Sequence, residues 1–184
     1  GQSYEKQFEF GMQKQRDFVQ DVVVETDVDM LIPDTYVNQI RERLSLYTTL
    51  DHLNNEEELK EFETDLRDRF GPYGPEVENL FQGLRLRWLG KKLGFERIIV
   101  SNHKLRCFFP ADPQSAYYES DTFQKLLTHI NKNPDKLRMR VKQSRNHLIL
   151  VVEGMPTMKK VITFLKQLEK LAVADPSVLS EVSG

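Results

Sequence analysis

The chain has 184 residues, enough for one domain of ordinary size, with or without a helical extension, and too few for two large ones. Its 26 lysines and arginines against 28 aspartates and glutamates give a net charge of -2, which excludes a uniformly basic DNA clamp and an acidic tail. A single cysteine, Cys107, excludes an intramolecular disulfide and the Cys/His clusters of structural zinc, so a reducing, cytoplasmic setting is expected. No run approaches the roughly 18 apolar residues of a membrane span, and the polar stretch from Gly1 to Gln20 lacks the apolar core of a signal peptide. The sequence therefore reads as a soluble protein or a piece of one, and Gly1 in place of an initiating Met is what either an excised fragment or processing would leave.

Residues 1–20 are rich in Gln, Lys and Glu without a period, and read as a linker or frayed helix. Val22 to Val28 is β-branched, with Val22, Val24, Thr26 and Val28 on one face, and predicts a strand. Asp34, just after Pro33, is placed to cap a helix carrying Ile40, Leu44 and Tyr47 at helical spacing. Asn55 with Glu58 makes a near capping box ahead of an apolar stripe of Leu59, Phe62, Leu66 and Phe70, and Gly71 is a stop. Pro75 suits the first turn of the next helix, which is predicted to run to about Leu93 before Gly94. That helix has two apolar faces. Val77, Leu80, Phe81, Leu84 and Trp88 line one, while Leu86, Leu89 and Leu93 lie nearly opposite.

The second half changes texture. Arg97 to Val100 and Lys104 to Phe109 read as strands joined by the hairpin turn Ser101-Asn102-His103. Ser120 caps a predicted helix holding Phe123, Leu126, Leu127 and Ile130, ended by Asn133-Pro134. Leu137, Met139 and Val141 alternate with Arg138, Arg140 and Lys142, a strand with one wet, basic face, whereas Leu148 to Val152 is uniformly apolar and expected to be more central. Pro156 opens a final amphipathic helix with Val161, Phe164, Leu165, Leu168 and Leu171, and the tail beyond Ala174 is expected to fray.

The near-neutral total conceals segregation. Asp51 to Phe70 holds eight acidic and three basic residues, Leu84 to Arg106 one acidic and seven basic, and Lys132 to His147 one acidic and six basic. Surfaces of opposite sign are implied. On the acidic helix Glu58, Glu61, Asp65 and Asp68 follow spacings of three, four and three, a stripe well away from the apolar one, with Asp65 and Asp68 placed to receive arginines. Arg138, Arg140 and Lys142, with Arg97, Lys104 and Arg106 on the neighbouring hairpin, form a candidate phosphate contact, although no RNP-like motif is present and stacking aromatics are not expected on these strands.

Catalytic chemistry finds no foothold. Gly83 to Lys91 has six residues between its glycines where a phosphate loop needs four, and it sits within a helix. His52, His103, His129 and His147 are scattered with no carboxylate or thiol at ligand spacing, and Cys107 alternates with Leu105 and Phe109 as a core residue would. Neither a catalytic residue nor a metal site is assigned.

Ile32-Pro33-Asp34 with Tyr36-Val37, then Arg43-Leu44 and Tyr47, Leu66 with Asp68-Arg69-Phe70-Gly71, and Leu86-Arg87 with Lys92-Leu93-Gly94, resemble the C-terminal domain of the bacterial transcription-repair coupling factor family (Mfd). The resemblance spans roughly residues 22–172, and the Asp-Arg-Phe-Gly run is its most specific part. Gly74 stands where that family usually has Pro, and Gly90 where it usually has Ala. The resemblance implies a multidomain parent, an ATP-driven DNA translocase that displaces stalled RNA polymerase and recruits UvrA for excision repair. ATP and magnesium would serve the parent's motor, whose motifs are missing from these residues. For this domain it implies autoinhibition: docking on the parent's UvrB-like module and masking the UvrA-binding surface. The family's clamp uses carboxylates on the helix before Arg-Phe-Gly, which correspond to Asp65 and Asp68, with Glu61 on the same face.

The fold expected is α+β, a helical N-terminal half followed by a mixed β-sheet of about five strands covered by helices. The expected division is a linker at 1–20, a regulatory domain at 21–174 and a tail at 175–184. The expected function is a non-catalytic regulatory interaction domain that contacts DNA mainly through its parent, with a nucleic-acid-binding module using the basic strands as the alternative.

Overall fold

A computed structural model describes residues 18–173; the expected linker, apart from Phe18 to Gln20, and the expected tail lie outside the described residues. Strand β1 (Val23–Thr26) is followed by three helices, α1 (Ile40–Asp51), α2 (Glu56–Phe70) and α3 (Pro75–Leu93). The hairpin β2 (Arg97–Ser101) and β3 (Lys104–Phe108) leads through a 3₁₀ turn at Ala116–Glu119 to α4 (Asp121–Lys132), the hairpin β4 (Met139–Ser144) and β5 (His147–Glu153), and α5 (Met158–Ala172). The five strands are ordered β1-β2-β3-β5-β4. β1 pairs parallel with β2 and every other pairing is antiparallel, so the sheet is mixed and the α+β architecture stands. A parallel neighbour requires a long crossover, and here the whole three-helix segment serves as that crossover.

Local chemistry accounts for most boundaries. The α2 capping box forms: Asn55 Oδ1 accepts from Glu58 N at 2.9 Å, and the Glu58 carboxylate accepts from Asn54 N at 3.0 Å. Asn102 and His103 have φ of 54° and 58°, the two left-handed residues of a tight two-residue hairpin loop. Gly94, at φ 88°, ends α3, and a Cβ there would overlap the Tyr117 ring. The Tyr117 hydroxyl donates to Leu93 O at 2.7 Å, so the helix end is closed by a buried tyrosine as well as by glycine.

Two cores share α3, as its two apolar faces predict. Val77, Phe81 and Leu84 pack with Leu46, Leu50, Leu59, Phe62 and Leu66 of α1 and α2. Leu86, Leu89 and Leu93 pack with Ile98, Leu105, Cys107, Leu150 and Val152 on one sheet face, against Leu126 of α4 and Leu165 of α5. β5, the uniformly apolar strand, lies between β3 and β4, inside the sheet.

Several expectations are corrected. Asp34 caps nothing: residues 33–37 form an isolated turn in which Tyr36 N and Val37 N donate to Pro33 O, and α1 begins at Ile40. Ile40 and Leu44 are 65% and 60% exposed, because α1 turns Leu46 and Leu50 inward instead. Tyr47 fixes that rotation by accepting Ile32 N on its hydroxyl at 2.7 Å. The strand expected from Leu137 starts at Met139, leaving Leu137 exposed. Pro156 precedes the last helix rather than opening it; Thr157 is the cap, accepting from Lys160 N at 3.1 Å, and Leu171 faces solvent.

Candidate functional site

The acidic stripe is real and lies on α2. Leu59, Phe62 and Leu66 are buried, while Glu61, Asp65 and Asp68 share the exposed side of the helix. Glu58 leaves the stripe, since its carboxylate is engaged in the capping box. Among the described residues Asp65 meets Arg69 at 3.4 Å, whereas Glu61 and Asp68 have no salt-bridge partner. An exposed i,i+4 pair of this kind contributes at most about 1 kcal/mol, so an incoming cation can displace it.

Two other carboxylates of α2, Glu56 and Glu63, anchor the helix. Glu56 receives Arg85 of α3 through two nitrogens, Nη2 to Oε1 at 2.7 Å and Nε to Oε2 at 3.1 Å. The Arg85 hydrogen bonds hold the Glu56 carboxyl below its usual range. Tyr73 donates to Glu63 at 2.7 Å and accepts from Arg67 at 3.2 Å. Burial, then the Glu63 bond, pushes its phenol up to about 12. At the far end Tyr36 donates to Gly71 O at 2.7 Å, tying the stop of α2 to the loop before α1. These residues hold the stripe in place, and helical spacing alone did not single them out because their partners are distant in sequence.

The basic residues gather on the other sheet face. By register Arg97, Phe108, Ile149 and Lys142 form one row across β2, β3, β5 and β4, and Ile99, Arg106, Val151 and Arg140 form the next. Arg138 falls outside β4 and pairs with Asp135 at 3.5 Å. Arg140 and Lys104 share Glu153 at 3.6 and 3.5 Å, and Arg97 meets Glu25 at 3.4 Å. Among the described residues Arg106 and Lys142 have no carboxylate partner, and Arg106 Nε is buried without an acceptor. One expectation changes here. Phe108 does stand on this face, edge-on to His147 at 5.6 Å and beneath Arg97, whose guanidinium carbon is 6.0 Å from the ring centre. The alternation that turns Leu105, Cys107 and Phe109 to the core also turns Phe108 to the face of Lys104 and Arg106, and pairing with the neighbouring strands brings it beside Arg97 and His147.

A cleft of about 460 Å³ lies between α1, α3 and β1, lined by Val24, Met30, Leu50 and Leu84 together with Asp51 and Arg87. Arg87 donates to Asp51 at 2.8 Å and holds that carboxyl below its ordinary range. Cys107 is fully buried, and burial pushes its thiol up, away from reactivity at neutral pH. Among the described residues no group of three or more His, Cys, Asp or Glu side chains is placed to hold a metal ion, and no helix is long and apolar enough to cross a membrane.

These features define a class: an α+β domain in which a three-helix unit and a half-covered mixed sheet are built on one shared helix, with its charge displayed on surfaces of opposite sign. The model of the TRCF domain family matches residues 26–120, and the chain belongs to that family. It is 25% identical over 141 residues to the transcription-repair-coupling factor of Rickettsia prowazekii (strain Madrid E), covering 77% of this chain and 12% of that protein. It is 33% identical over 79 residues to that of Escherichia coli (strain K12), 43% of this chain and 7% of the relative. A crystal structure of the C-terminal domain of transcription-repair coupling factor superposes with a TM-score of 0.63 at 20% identity, covering 88% of this chain and 98% of that one, a likeness of fold. The chain thus spans about an eighth of the Rickettsia relative.

Proposed function

We propose that this chain is the regulatory C-terminal domain of a transcription-repair coupling factor, and that the α2 stripe of Glu61, Asp65 and Asp68 docks on arginines of the parent's UvrB-like module, masking its UvrA-binding surface. The parent, in this reading, is a cytoplasmic, ATP- and magnesium-dependent DNA translocase that displaces stalled RNA polymerase, and this chain contributes no catalysis. The observation that carries the docking is the stripe itself: three carboxylates on one solvent side of a helix held rigid by Arg85, Tyr73 and Tyr36.

The mechanism is a two-state switch. A closed parent pairs the stripe with the masked module, and polymerase or DNA favours an open state by binding it more tightly. Each partly desolvated, hydrogen-bonded pair contributes about 1–3 kcal/mol, so losing two shifts the balance by one to several powers of ten. The test is Asp65→Lys with Asp68→Lys in the full-length parent. UvrA binding should rise at least about tenfold by this arithmetic, while the melting temperature of the isolated chain stays put. Unchanged UvrA binding refutes the clamp.

A further inference from the structure

We infer that the face of the sheet opposite the helices binds a single nucleic-acid strand through its phosphates and base faces, without regard to the sugar. Every helix among the described residues that packs on the sheet does so against the Ile98, Leu105, Leu150 and Val152 side. Ile149 and Val151, on the other side, are only 8% and 4% exposed, yet they belong to neither core. Their neighbours by register are Phe108 and Lys142 for the first, Arg106 and Arg140 for the second. This face is therefore an apolar strip roofed by the stems of long cationic side chains, which present charge to solvent while covering hydrocarbon.

Its charge is unbalanced in a particular way. Arg97, Lys104, Arg106, Arg140 and Lys142 stand against Glu25 and Glu153, and those two carboxylates already serve Arg97, Lys104 and Arg140. Arg106 and Lys142 remain for an outside anion; Arg106 Nε is buried with no protein acceptor, so an incoming phosphate meets that guanidinium at its terminal nitrogens. Strands spaced about 4.8 Å apart put Arg97 and Lys142 roughly 14 Å from each other across the row, a cationic track several nucleotides long. Phe108 lies within it, flanked by Arg97 and His147. An aromatic ring among cations suits base stacking. A base reaches that ring only when unpaired, which selects a single strand over a duplex. Phosphate charge and base faces are common to DNA and RNA, and these are the groups the cations and Phe108 would engage, so the two should bind alike.

The experiment is fluorescence anisotropy of the 184-residue chain with labelled oligothymidine, oligouridine, a duplex and an oligoglutamate peptide. The two single strands should bind within about threefold of each other. Raising salt from about 50 to about 200 mM should weaken them roughly 20-fold, the slope for three phosphates on a single strand, matching the five cations of this face less its two carboxylates. Lys142→Glu, at an exposed edge position, and Phe108→Leu should each weaken binding about tenfold. Lys125→Glu on α4 changes charge equally on the helical side and should change binding less than about twofold. Absence of binding at low salt, equal loss from Lys125→Glu, a duplex bound as tightly as the strands, or oligoglutamate binding as tightly and competing each overturns the inference; the last result makes the partner an acidic polypeptide.

Discussion

Arg85→Met tests whether the α2 face is positioned by an ion pair or only by packing. Methionine keeps the apolar stem and the helix propensity while deleting the guanidinium. Arg85 is 18% exposed and donates to Glu56 through two nitrogens, Nη2 at 2.7 Å and Nε at 3.1 Å, across the α2–α3 junction. A charge-assisted pair of this geometry contributes about 1.5–3 kcal/mol when shielded, and the greater exposure of Glu56 reduces that to about 1–2 kcal/mol at pH 7. For a chain of this size the melting temperature should fall by about 2–8 °C. Because Arg85 depresses the folded-state Glu56 pKa, the contribution is fully present above the unfolded glutamate value of about 4.3. It is lost as pH falls through the lower folded value. Urea unfolding of both proteins at pH 7 and at pH 3 gives the comparison. The difference should be about 1–2 kcal/mol at the higher pH and shrink at the lower one. An equal loss at both would show that packing, not the ion pair, carries the junction.

Two further outcomes follow from the sheet side of α3. Gly90→Ala gains about 1 kcal/mol of helix propensity, but the new Cβ would lie 2.9 Å from Val22 and 3.1 Å from Ile98, both buried. Overpacking of that kind costs about 1–3 kcal/mol, so urea unfolding should show no gain or a net loss of up to about 2 kcal/mol; a stabilised variant would refute the close approach. Cys107, fully buried with its thiol pushed up, should resist a thiol reagent at pH 8 and react only at the rate of unfolding, rising with urea; immediate labelling of the native chain would contradict its place in the core.

Local signals in this chain were legible wherever one residue type does one job. The Asn55–Glu58 box, the stops at Gly71 and Gly94, and the Asn102-His103 turn follow from backbone chemistry within a few residues. The two faces of α3 were legible too, since helical period dictates them. The rotation of α1 was not. Ile40, Leu44, Leu46 and Leu50 offer two competing apolar arcs, and the choice rests on Tyr47 reaching Ile32 N from fifteen residues away.

The same division governs the surfaces. Helical spacing alone placed Glu61, Asp65 and Asp68 on one side of α2, because side-chain direction in a helix depends only on position. Which of the remaining acids are free depended on Arg85, Tyr73 and the cap, partners brought in by folding. For the sheet, composition showed that the hairpins are basic. Only strand order and register set Arg97, Phe108, Arg106, Arg140 and Lys142 side by side, since they come from three strands and a one-residue slip would turn each to the other face.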